Sequence, residues 1–143
     1  MGSETGSKWS EPQVLARFAK GHYQITCQRG PRIASVFNVH PEPIGLNART
    51  NLYYVETSDF GRTWQSVDGK TLEIPLTDAA SIEPVYDYEV EGLLVYLKTV
   101  QFDAEGRPVI PVPDEQGLRL ARRAAAHLAH RALDGLLSGR SAR

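Results

Sequence analysis

At 143 residues the chain has room for one modest domain. Its hydrophobic share of 41%, charged share of 23% and net charge of −1 are ordinary globular values, and they exclude nucleic acid and anionic membrane as expected partners. A single cysteine, Cys27, excludes an internal disulfide and a cysteine-rich metal site, and no apolar run approaches the roughly 20 residues that cross a bilayer.

The opening residues, MGSETGSKWSEP, are polar and hold no signal-peptide core. In Lys8–Leu15 (KWSEPQVL) an aromatic residue and then Val14 and Leu15 stand around Pro12, as a strand end or a flexible tail would have them. His22–Gln28 (HYQITCQ) alternates and carries Tyr, Ile and Thr, so it reads as a first strand with Cys27 as a buried thiol. Arg29-Gly30-Pro31 breaks it. Arg32–His40 (RIASVFNVH) alternates again, with Ile33, Val36, Phe37 and Val39 apolar, and is the second strand. Pro41, Pro43, Gly45 and Asn47 mark a loop, and Asn51–Glu56 is the third strand. A tight turn over Thr57–Trp64 leads to a fourth strand at Thr63–Val67, and Asp68-Gly69 closes the unit. Four antiparallel strands in about 45 residues match the size of one propeller blade.

Thr71–Glu91 reads as a connector rich in Pro, Asp and Glu, with a short apolar piece at Leu72–Leu76. Leu93–Phe102 (LLVYLKTVQF) predicts a strong strand, Asp103–Gly106 a hairpin turn, and Arg107–Ile110 the start of a returning strand. Such a strand without a complete sheet to join exposes an edge, which predicts self-association.

The turn TSDFGRTW carries a more specific signal. Asp59 is a short carboxylate able to bond nearby backbone N–H groups, Gly61 is free to take positive φ, and Trp64 brings a ring to bury. The order Ser/Thr-x-Asp-x-Gly-x-Thr-Trp, matched by Thr57, Asp59, Gly61, Thr63 and Trp64, resembles the Asp-box of sialidase-like BNR repeats. In that family the box is a structural clasp on the outer hairpin of a propeller blade. The stretch Lys8–Ile110, through GHYQ, GLNARTNLYY, VYDY and FDAEGRPV, resembles an internal slice of the BNR-repeat propellers that include polysaccharide lyases such as ulvan lyases. The resemblance implies an all-β, incomplete β-propeller over residues 1–110: one full four-stranded antiparallel blade and parts of two neighbours, with Met1 in the middle of a blade. It also implies a secreted or periplasmic parent protein.

From Pro111 the composition changes to Arg, Ala, Leu and Gly, without aromatic residues or lysine. Leu118, Ala121, Ala125, Leu128, Ala132 and Leu136 form a stripe of helical spacing. Moved by one base, this segment can be back-translated into a strand continuing Val109 and Ile110, followed by Thr-Trp and Ala-Arg-Trp. Residues 111–143 therefore read as an out-of-frame tail, helical or disordered, with no function of its own.

Strand alternation places the chemistry. The Thr57–Trp64 turn shares one end of the sheet with Arg29–Pro31. The other end collects Lys20, Gly21 and His22, the loop from His40 to Arg49, and Tyr86, Asp87 and Tyr88. There His22 and His40 can exchange a proton near neutral pH, Tyr86 or Tyr88 can act as a phenolic acid or base, and Arg49 can pair bidentately with a uronate carboxylate. The resemblance to propeller lyases implies catalytic roles for His22, His40 and Tyr88, and substrate contacts for Arg49, Asn47 and Tyr86, with an acidic polysaccharide as partner and no metal or cofactor. Packing is the competing role: a histidine bonded to backbone at a strand end, tyrosines between blades, and a solvated loop charge at Arg49. Sialidase chemistry fits less well, because it needs an arginine triad and a Tyr–Glu pair, although Glu89 and Glu91 stand near Tyr88. No P-loop, G-x-G-x-x-G, G-x-S-x-G or Cys/His metal spacing is present. The sequence thus points to part of a carbohydrate-active lyase or glycoside hydrolase. The alternatives are a non-catalytic glycan- or protein-binding propeller and an inactive truncated product.

Overall fold

A computed structural model describes residues 11–40 and 48–111. The expectations for the out-of-frame tail, for Asn47 and for the first part of Lys8–Leu15 fall outside these residues. Among the described residues the architecture is all-β. Strands β1 (His22–Arg29), β2 (Arg32–Val39), β3 (Thr50–Thr57), β4 (Trp64–Ser66) and β5 (Thr71–Leu72) form one five-stranded sheet in sequence order. Each neighbouring pair is antiparallel. A second, two-stranded sheet joins β6 (Gln101–Phe102) to β7 (Pro108–Val109).

The alternation seen in the sequence becomes a two-sided sheet. Ala34, Val36, Leu52 and Tyr54 point to one face, where Val85, Tyr88, Val95, Leu97, Val100 and Ile110 cover them. Phe37, Tyr53, Val55 and Trp64 point to the other, under Leu76 and Ile82 and the partly buried Leu15 and Phe18. Both faces are covered over the middle of the sheet, so β2 and β3 are buried along nearly their whole length. Polar residues there are accepted where they find partners. Asn38 is half satisfied: its Nδ2 donates to the Val95 carbonyl at 2.9 Å, while its Oδ1 is left without a partner.

The hairpin between β1 and β2 pairs Arg29 with Arg32, leaving a two-residue loop of Gly30 and Pro31. Gly30, at φ 61°, supplies the positive φ that such a loop needs at its first position. Between β2 and β3 the register slips. Phe37 pairs with Tyr53 but Val39 with Thr50, so β3 carries one extra residue, and Asn51 sits there at φ 59°. Below the bulge β4 has ended, and the C-terminal segment takes over the open edge of β3. Val85 N–H donates to Leu52 O at 2.7 Å, and Leu52 N–H to Tyr86 O at 3.2 Å. Val95 N–H donates to Arg49 O at 2.8 Å, and Glu89 N–H to Asn51 Oδ1 at 3.0 Å.

Three sequence expectations need correction. The sheet has a fifth strand, Thr71–Leu72, where a connector is expected; Asp68 and Gly69 turn the chain into it, with Gly69 N–H donating to Ser66 O at 2.9 Å. A two-residue strand is too short for an alternating pattern to reveal. The strong strand expected over Leu93–Phe102 is regular only at Gln101–Phe102. The apolar residues before it, Val95, Leu97 and Val100, are buried flat against the sheet face, so the run provides the layer over the first cluster in place of a ladder. The hairpin at Asp103–Gly106 forms as expected, with Asp103 N–H donating to Arg107 O at 2.9 Å and Gly106 N–H to Asp103 O at 3.0 Å. The third correction concerns Tyr88. Its side chain, 1% exposed, is a wall of the first cluster, where an expected proton-transfer group would be open to a ligand.

Candidate functional site

The two ends of the sheet differ in how they are held. At one end, β3 runs through Thr57 into the turn before β4. Asp59 accepts from Thr57 Oγ1 at 2.7 Å, from Thr63 N–H at 2.9 Å and from Thr63 Oγ1 at 2.7 Å. Thr57 Oγ1 in turn accepts from Gly61 N–H at 3.0 Å. These donors, first the Thr63 amide and then the two hydroxyls, hold the Asp59 carboxyl down at about 2. Gly61, at φ 88°, lies under the indole of Trp64, 3.8 Å from where a Cβ would stand. The turn is stitched to its neighbour, since Phe60 N–H donates to Pro31 O at 3.0 Å. The β6–β7 hairpin meets the same end, because Arg29 donates to Asp103 O and Arg32 to Gly106 O, each at 2.6 Å.

The opposite end holds His22, His40 and Arg49. His40, 8% exposed, donates through Nδ1 to the Ala48 carbonyl at 3.0 Å. A carbonyl only accepts, so in the neutral ring Nδ1 carries the hydrogen and Nε2 the lone pair. That is the tautomer of a general base with Nε2 as its working atom. Gly21 lies against the ring, its missing Cβ position being 3.7 Å from Cδ2.

Arg49 follows Ala48 directly, and rings surround it. Its guanidinium carbon lies 3.9 Å from the centroid of Tyr23 and 5.4 Å from that of Tyr96. Its Nε is buried without a hydrogen-bond partner, as is Oδ1 of Asn38. Asn38 pairs with Tyr23 across the strands and bonds the same Val95 whose N–H reaches Arg49 O. Donor capacity, a π-face and a base nitrogen are thus gathered at one strand end.

Among the described residues, His22 and Tyr86 make their contacts elsewhere. His22 pairs with Val39 and turns to the second cluster, edge-on to Phe18 at 5.1 Å and to Phe37 at 6.1 Å. Its Nε2 meets Gln24 Oε1 at 3.3 Å, which begins a polar ladder through Thr26 to Ser35 on that face of β1. His40, one residue beyond the end of β2, is bonded to Ala48 O instead. Tyr86 packs against Tyr88 with centroids 4.6 Å apart and the rings tilted by 55°, and it donates its hydroxyl to Glu91. Tyr23 and Tyr96 are the residues sequence reasoning missed. Each sits in a run that reads as strand, and nothing in the spacing marks them as companions of Arg49. Among the described residues no group of His, Cys, Asp and Glu could hold a metal ion.

No protein-family model matches this chain, and no curated protein matches it in sequence. Among solved structures it is similar to a polysaccharide lyase PL25, an ulvan lyase bound to -[GlcA(1-4)Rha3S]-, with 19% identity and a TM-score of 0.54. A second structure of PL25 ulvan lyase gives 18% identity and a TM-score of 0.52. In both comparisons the match covers 65% of this chain and 23% of the other. The chain therefore spans about a quarter of the length of these neighbours, and the likeness concerns the fold.

Proposed function

We propose that this chain is a piece of a carbohydrate-active β-propeller of the BNR-repeat kind, with Thr57–Trp64 as an Asp-box, and that the parent protein is a lyase for an acidic polysaccharide. The fold likeness to ulvan lyase supports the class. The observation that carries the site is His40, whose Nδ1 is committed to Ala48 O while Arg49 is the next residue along the chain.

In this reading Arg49 pairs with the carboxylate of a uronate and so acidifies the C–H beside it. Nε2 of His40 takes that proton, a C=C bond forms in the sugar, and the C–O bond to the leaving sugar breaks with its electron pair on the oxygen. That oxygen takes its proton from water or from the imidazolium that His40 has become. Tyr88, buried as it is, does not supply it. His22 stands on the other face of the sheet and takes no part.

The test is to incubate the full chain with a glucuronate-containing polysaccharide and follow the ultraviolet absorbance of the unsaturated uronate. Turnover that falls roughly 10²- to 10⁴-fold in His40→Ala, with His22→Ala within about threefold of the parent chain, is expected for a general base. Equal losses from both substitutions would reject the assignment. A second reading is favoured by the burial of Tyr88, which removes one expected acid: the chain binds acidic glycan without cleaving it. Saturable binding with no absorbance change would select it.

A further inference from the structure

The guanidinium of Arg32 shows what an arginine with a structural role looks like here. It lies 4.6 Å over the ring of Phe102, and its nitrogens donate to Gly106 O at 2.6 Å and to Glu56 Oε2 at 2.7 Å. Arg49 has the ring contacts without the acceptors. Its Nε is buried and unbonded, and no ion pair holds it among the described residues. Stacking fixes the plane of a guanidinium yet uses none of its N–H groups, which point outward in that plane. The terminal nitrogens are not buried and no described residue accepts from them, so those donors are available to an acceptor from outside.

We propose that Tyr23 and Tyr96 hold Arg49 as a preformed clamp for an oxyanion, a carboxylate or a sulfate, with Tyr23 as the positioning residue. The clamp rests on the acidic-glycan reading only for the identity of its natural ligand. Tyr23 is well placed for this, being 47% exposed on edge strand β1 with its ring 3.9 Å from the guanidinium carbon. It is held there by pairing with Asn38, while Arg49 is held by the bond from Val95 to its carbonyl. The two halves of the clamp therefore come from the outer strand and from the start of β3. An anion in the guanidinium plane would meet the terminal Nη donors, which have no acceptor among the described residues, while Nε stays buried beside them.

The test uses nuclear magnetic resonance of the arginine Nε–H groups in the full chain, with the Arg49 signal identified by its loss in Arg49→Lys. Ring currents should set this signal apart in the parent chain and release it in Tyr23→Leu. Titration with inorganic sulfate, and separately with acetate, should move it saturably. Tyr23→Leu should weaken that titration about tenfold, while Tyr23→Phe, which keeps the π-face, should stay within about twofold. The backbone amide spectrum of each variant reports whether it is folded, and Tyr23→Phe together with Arg49→Lys keeps the test decisive if Tyr23→Leu is not. A signal unmoved by both anions, or unchanged titration in folded Tyr23→Leu, overturns the clamp. A glucuronate oligosaccharide and its carboxyl-reduced form make the last arm. If sulfate shifts the signal and neither oligosaccharide does, the clamp stands and the acidic-glycan reading falls.

Discussion

The two ends of the sheet are made from the same strands and solve opposite problems. At the Thr57–Trp64 end the polar groups of the turn, Trp64 Nε1 excepted, have local partners: Asp59 alone accepts from Thr57 and from both donors of Thr63, and Phe60 ties the turn to Pro31. At the other end Arg49 Nε and Asn38 Oδ1 are buried and unpaired, and His40 is bonded at one nitrogen to a backbone carbonyl. Saturated bonding is what stability asks of a turn, and open donors held in place by packing are what ligand recognition asks of a site. The contrast teaches where substitutions should register: in melting at the first end, in binding at the second.

The largest effect expected is from Trp64→Ala. The indole is 5% exposed in the second cluster, its Nε1 has no partner, and the ring contributes by packing alone. Truncation should cost about 3–5 kcal/mol in chemical denaturation, enough to unfold a marginal domain. A loss under about 1 kcal/mol would remove the turn end from the stability side of the comparison.

Arg32→Ala comes next. It removes the bonds to Gly106 O and Glu56 and the contact with Phe102, which together tie the β6–β7 hairpin to the β1–β2 turn. About 1–2 kcal/mol should be lost, with the ion pair discounted because both side chains are about one-third exposed. Hydrogen exchange should quicken at Asp103–Arg107 before it does in β2 and β3. Uniform quickening would show that the hairpin is not a separately held piece.

Acid should act at the same end. The Asp59 carboxyl titrates at about 2 in the folded chain, below its ordinary value of 3.8. A folded value depressed in this way means stability that is present above the ordinary value and is lost as pH falls through the folded one. Asp59→Asn should therefore lower the melting temperature at neutral pH and flatten its fall between about pH 4 and pH 2. An acid limb as steep as that of the parent chain would place the sensitivity elsewhere, in Asp103 for instance, which is also held down by the amide of Arg107.

The smallest effect belongs to Arg62→Ala, an exposed position inside the turn, where a change within about 0.5 kcal/mol is expected. Against it, Tyr23→Leu at the far end should leave the melt nearly unchanged while weakening anion binding. The reverse pattern would erase the distinction between the ends.

Much of this molecule was legible in its sequence because it is local. The runs His22–Gln28 and Arg32–His40, read from period-two alternation, and Asn51–Glu56, read from its β-formers, fall on the first three strands, and the turns at Gly30, Gly61 and Gly106 follow from residues that tolerate positive φ. Which end of the sheet a residue occupies follows from counting strands, and this count alone put His22, His40 and Arg49 together at the end away from Asp59. Which face a residue occupies is a finer matter. His22 turns to the second cluster, while His40, past the end of β2, is fixed by the Ala48 carbonyl. The bulge at Asn51, invisible in the alternation, decides how Arg49 and the segment around Val95 meet. The run Leu93–Phe102 has strand composition, yet burial against the first cluster outweighed ladder formation. Only tertiary packing could bring Tyr23 and Tyr96 to Arg49, since stacking depends on contacts between segments far apart in the chain, and no spacing of residues along one strand encodes them.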